Sequence, residues 1–65
     1  MADEEHVGVV GVGRMGQAMT RHLIRHGYAV FANDVEPKAR ETARGLGATI
    51  LETPAEVGKR CPFII

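Results

Sequence analysis

An α/β fold built on a parallel sheet is what this chain predicts, and three observations carry it. Short β-branched runs alternate with stretches of helical period along the chain. The first of those runs is apolar on both faces, as a strand buried between two layers must be. The links between segments are short, which suits right-handed β-α-β crossovers.

The first strand is His6 to Val10, with Val7 and Val9 on one face and Gly8 and Val10 on the other. From Arg14 to His26 the period becomes helical. Met15, Met19 and Leu23 fall on one stripe, expected to face the core, while Arg14, Arg21 and Arg25 stay off it. Gly27 stands at a helix stop. Tyr28 to Asn33, "YAVFAN", is the second strand. Glu36-Pro37 opens a second helix, where proline is tolerated in the first turn. Ala39, Ala43 and Leu46 form its apolar face, and Gly45 and Gly47 end it.

Thr49 to Leu51 is a short third strand. Thr53-Pro54-Ala55-Glu56 reads as a capping box, with threonine as N-cap and glutamate at the third helical position, and starts a helix to about Arg60. "PFII" begins a fourth strand. The order β-α-β-α-β-α-β describes a partial parallel sheet, truncated in the fourth strand. Residues 1–5 are expected to form a polar tail and 6–65 the first part of one domain. Crossovers that progress in one direction put the first two helices on the same face. The other face, carrying either Val7 and Val9 or Gly8 and Val10, is therefore expected to be bare without later elements.

Lys plus Arg number 8 and Asp plus Glu number 8, so the formal net charge is zero. That balance, with scattered basic residues, gives no electrostatic basis for binding nucleic acid or an anionic membrane. No apolar run is long enough to span a bilayer. Cys61 is the only cysteine, so neither an intrachain disulfide nor a multi-cysteine metal site can form. The acidic opening "MADEEH" is unlike a secretory signal, and a cytoplasmic location is expected. His22 and His26 stand four residues apart, but two ligands alone do not make a zinc site; with His6 they are expected at solvent or at helix ends. No nucleophile–base pair is recognisable, so no catalytic residue and no metal ligand is assigned.

The informative stretch is Gly11-Val12-Gly13-Arg14-Met15-Gly16, a G-x-G-x-x-G between a strand and a helix. In a Rossmann-type fold the first glycine makes the tight turn, the second lets the backbone approach a pyrophosphate, and the third lets helix and strand pack closely. Val12, Arg14 and Met15 would then contribute backbone N–H groups, with the Arg14 side chain within reach of the phosphates. Asp34 lies eighteen residues past Gly16, at the end of the second strand. There a carboxylate accepts from the adenosine ribose hydroxyls and repels the 2′-phosphate of NADP. The expected cofactor is NAD.

The segment "VGVVGVGRMGQAMTRHLIRHGYAVFANDVEPKA" resembles the N-terminal region of the β-hydroxyacid dehydrogenases. That family includes 3-hydroxyisobutyrate dehydrogenase, tartronate semialdehyde reductase and 6-phosphogluconate dehydrogenase. Its G-[LVF]-G-x-M-G is matched by Gly11, Val12, Gly13, Met15 and Gly16. Its "HGY…D…P" is matched by His26, Gly27, Tyr28, Asp34 and Pro37, and its "[ST]-P-A-E-V" by Thr53 to Val57. Asn33 stands where members of the family often have a larger or apolar residue, and is counted with Asp34 as a cofactor-binding position on the adenine side. The resemblance implies a longer parent enzyme, a homo-oligomer that passes hydride between a small 3-hydroxyacid and NAD. It also places the catalytic lysine, a Ser-Gly-Gly substrate segment and an all-helical second domain beyond residue 65. Two alternatives stay open: an NADP-dependent 6-phosphogluconate dehydrogenase or imine reductase relative, and a non-catalytic dinucleotide-binding module.

Overall fold

Alternating small and β-branched residues form β1 (His6–Val10), the strand about which the molecule is built. The computed structural model describes residues 5–65, so all of the expected polar tail except Glu5 lies outside the described residues. After β1 come α1 (Arg14–Arg25), β2 (Ala29–Asn33), α2 (Pro37–Leu46), β3 (Thr49–Ile50), α3 (Pro54–Arg60) and β4 (Phe63–Ile64). The sequence places every element; α1, β2 and β3 begin or end one residue short of expectation. Each helix has a local reason to start or stop where it does. Pro37 stands in the first turn of α2, and Gly47 closes that helix in the left-handed conformation at φ 108°. The Thr53 side chain accepts from the Glu56 N–H at 3.2 Å. Glu56 reaches back to the N–H of Glu52, one residue before the position a standard capping box uses.

The four strands are parallel and ordered β3-β2-β1-β4. Val7 pairs with Val30 and Val9 with Ala32, which stacks small apolar side chains on one face. Val9, Val12, Val30, Ala32, Ala43 and Ala48 form the core there, with Leu23, Ile24, Ala39 and Ile50 packed against them.

Two expectations are corrected. The face opposite α1 and α2 is covered at Gly8, while Val10 and β4 stay exposed. After β3 the chain returns across the sheet to place β4 beside β1, and a right-handed crossover travelling that way lays its helix on the other face. Thus α3 covers Gly8 with Val57 and Cys61, both buried. Nor does α1 bury the Met15–Met19–Leu23 stripe. Met15 is 82% exposed and Met19 37%, while Thr20 is fully buried. The inward stripe is Gly16, Thr20, Leu23 and Ile24, spaced i, i+4, i+7 and i+8. Its physical cause is the close approach at Gly16, where an added Cβ would stand 2.7 Å from the Gly11 carbonyl oxygen. Small residues, not large ones, mark the contacting side of this helix.

Candidate functional site

The strand order reverses beside β1, with β2 on one flank and β4 on the other. In open α/β sheets ligands bind at such a switch point, beyond the carboxyl ends of the strands. The glycine-rich turn leaves β1 at that end. Two of its three glycines are required by the fold. Gly11 adopts φ 89°, a left-handed turn conformation that side chains disfavour. Gly16 is required by helix–turn packing, as described above. Gly13 meets neither constraint: its backbone is ordinary (φ −84°, ψ −159°), and an added Cβ would find nothing within 4 Å.

Gly13 is also the N-cap of α1, and no side chain caps that helix or places an acid in its first turn. The N–H groups of Arg14, Met15 and Gly16 have no carbonyl inside the helix to donate to. With the positive end of the helix dipole they form a set of donors suited to an anion. Arg14 and Met15 are exposed at this end.

Asp34 stands just past the end of β2, facing the same turn. Its Oδ2 accepts from the Val12 N–H at 2.6 Å, and its Oδ1 from the Glu36 N–H at 2.8 Å. The bonds from Glu36 and Val12 hold its carboxyl below its ordinary pKa of 3.8, with Arg40 adding to the effect against partial burial. A carboxyl whose folded pKa is lowered contributes stability that is complete above the unfolded value. That stability is lost as pH falls through the folded value. The Val12 bond is therefore expected to persist down to the unfolded value and give way only below it. In a proton NMR titration the Val12 amide should shift with a midpoint under 3.8; a midpoint at or above that value would show that these donors do not hold the carboxylate.

Asn33 is buried and its side-chain amide donates to the Leu51 carbonyl at 2.9 Å, tying the ends of β2 and β3 together. Val12 is also a core residue, 1% exposed, and its N–H is engaged by Asp34. Val10, Gly11, Asn33, Asp34, Val35 and Pro54 line a shallow cleft of about 210 Å³. Of these, Val10, Val35 and Pro54 are outside the set of site residues that the sequence assigns. Pro54 belongs to the capping stretch, and only the topology brings the start of α3 to the glycine turn. A larger cleft, about 500 Å³, lies at Arg40, Arg44, Ile50, Leu51 and Glu52, away from the turn. Size does not mark the site here; unspent backbone donors do.

The remaining polar residues lie elsewhere. The rings of His22 and His26 meet at 4.4 Å, tilted 53° to one another, on the exposed end of α1. Cys61 is buried against β1, and burial pushes its thiol pKa up. Among the described residues no group of three or more His, Cys, Asp or Glu side chains is placed to hold a metal, and no helix is long and apolar enough to cross a membrane.

A glycine turn opening an uncapped helix at a sheet's switch point, with an acid at the neighbouring strand end, is the Rossmann-type arrangement. Residues 6–65 match the family described as the NAD binding domain of 6-phosphogluconate dehydrogenase, and the chain belongs to that family. It is 37% identical over 65 residues to a mitochondrial 3-hydroxyisobutyrate dehydrogenase of Bos taurus, covering all of this chain and 19% of that one. It is 33% identical over 60 residues to an L-threonate dehydrogenase of Cupriavidus necator, covering 92% of this chain and 20% of the relative. A solved structure of the imine reductase from Myxococcus stipitatus, V8 variant, in complex with NAD+, superposes with a TM-score of 0.84 at 30% identity, over 91% of this chain and 21% of that one. The chain thus spans about a fifth of the length of these relatives. The resemblance to β-hydroxyacid dehydrogenases read from the sequence is borne out, and so is the Rossmann-type fold.

Proposed function

We propose that this chain is the NAD-binding part of a longer dehydrogenase acting on a small 3-hydroxyacid, of the 3-hydroxyisobutyrate type. Gly13 is the observation that supports it most. Nothing in the fold asks for glycine there, so the missing side chain serves a partner outside the chain, approaching the donors at the start of α1. A pyrophosphate fits that donor set, and the carboxylate of Asp34 fits ribose hydroxyls in the adjoining cleft. Gly11, Val12, Gly13, Arg14, Met15, Gly16, Asn33 and Asp34 remain the proposed cofactor-binding set, with Val12 and Asn33 serving as framework through their engaged polar groups. When bound, the cofactor accepts or supplies hydride. The residues of this chain bind and orient it, and the proton-transfer group, the substrate contacts and a homo-oligomeric assembly belong to the longer protein. The cytoplasmic placement expected from the sequence stays a proposal beside relatives named as mitochondrial.

The competing reading, an NADP-using relative of the imine-reductase type, draws on the structural likeness to imine reductases, one of which is in complex with NAD+. Asp34 weighs against it, because a 2′-phosphate would meet a carboxylate held in its charged form. Fluorescence titration of the longer protein is expected to show NADH binding at least about tenfold tighter than NADPH, the scale of one charge-assisted hydrogen bond. Replacing Asp34 by Ser and Val35 by Arg should move the preference toward NADPH. Equal or tighter NADPH binding by the unaltered protein would overturn the NAD assignment.

A further inference from the structure

The Asp34 carboxylate does two things at once in the chain without ligand. The bond to the Glu36 N–H is local, the i to i+2 contact of an Asx turn, and many aspartates at strand ends make it. The bond from the Val12 N–H is different. It spans 22 residues and joins the glycine turn to the turn after β2. No local turn requirement explains it.

Val12 sits between the two glycines whose geometry matters most, Gly11 with its left-handed backbone and Gly13 with its open approach. The turn is otherwise held by the Gly11 N–H on the Asn33 carbonyl at 2.9 Å, by the buried Val12 side chain, and by the Gly13 carbonyl, which accepts from the Gln17 N–H at 2.8 Å. The first two fix the start of the turn and the third ties its end to α1. The Asp34 bond is the one that fastens the middle of the turn to the β2–α2 turn, and so bears on where the first N–H groups of α1 point.

An ionised carboxylate has about four acceptor sites on its two oxygens. Two are used here, by Val12 and Glu36, which leaves two for the two hydroxyls of a ribose. Holding the turn and receiving a ribose are therefore compatible on one side chain.

We propose that Asp34 is a positioning residue for the glycine-rich turn, fastening it to the β2–α2 turn before a ligand arrives, in addition to receiving the ribose. The inference rests on the dinucleotide-binding reading above. Its consequence is that Asp34 contributes to binding of ligands that never touch it.

The test uses the longer protein as unaltered, Asp34→Asn and Asp34→Ala forms, with two probes. One is NADH. The other is an NADH analogue whose adenosine ribose lacks both the 2′- and the 3′-hydroxyl, and so cannot bond to Asp34. Asp34→Ala is expected to weaken the analogue roughly tenfold, and Asp34→Asn, which keeps one acceptor oxygen, should recover part of that loss. In the protein without ligand, hydrogen exchange at the Val12 amide should speed up in Asp34→Ala. Circular dichroism confirms that each variant is folded. If Asp34→Ala leaves the analogue's affinity within about twofold and Val12 exchange unchanged, Asp34 is a ribose acceptor only and the positioning role is overturned while the dinucleotide reading stands. If the unaltered protein binds neither probe, the dinucleotide reading falls and takes the positioning role with it.

Discussion

Replacing Gly13 by valine is expected to abolish NADH binding while leaving the fold intact. The backbone at Gly13 is one that any residue adopts, and its Cβ position opens onto solvent. A valine there costs the folded chain little. It does fill the space through which a pyrophosphate must pass to reach the N–H groups at the start of α1. Those donors lie on the backbone, so a ligand displaced by even one methyl group loses several of them together. Each is a hydrogen bond to a charged group, worth about 1.5–3 kcal/mol, and losing two would weaken binding by roughly two to four orders of magnitude. NADH fluorescence titration reads the affinity and circular dichroism reads the fold. Normal binding by Gly13→Val would reduce the glycine stretch to a chain turn and remove the main support for the proposed function. Gly16→Val should behave in the opposite way, losing the fold first, because its side chain would meet the Gly11 carbonyl rather than open space.

That contrast also separates what the sequence makes legible from what it does not. The alternation of strands and helices follows from local patterns: valines in β1, proline at the start of α2 and α3, the threonine cap of α3. The glycine motif and Asp34 were equally visible, because their chemistry depends on residue type and spacing. Contacts set by topology were hidden. Hydrophobicity points to Met15 and Met19 as the inward face of α1, whereas the close approach selects Gly16 and Thr20. The signal was present in the third glycine of the motif, which reports helix packing and so names the inward face. The seating of α3 on the second face is not legible locally, because it depends on β4 returning beside β1, and strand order is not written in any local period. The 2.6 Å bond from Val12 to Asp34 joins residues 22 apart, and nothing in either neighbourhood announces it.

Gly8 is the residue whose importance the topology creates, and Gly8→Ala is expected to destabilise the protein markedly. It lies in β1, between β2 and β4, and pairs with Phe31 and Ile64. A Cβ there would drive into Cγ1 of Val57 and press on Cβ and Sγ of Cys61 at 3.3 Å. Val57 is fully buried and Cys61 nearly so, so neither has free space to move into. The strand gains a better β-former at this position, worth well under 1 kcal/mol. Overpacking a tight core costs about 1–3 kcal/mol, and the steric term wins. Thermal melts of the longer protein should therefore show a lower Tm for Gly8→Ala. A double-mutant cycle tests the cause. Val57→Ala is itself destabilising, but it makes room opposite Gly8. In that background Gly8→Ala should cost less, by a coupling of about 1 kcal/mol or more. Should Gly8→Ala prove neutral, or equally costly in both backgrounds, the close seat of α3 on β1 would not be what selects glycine here.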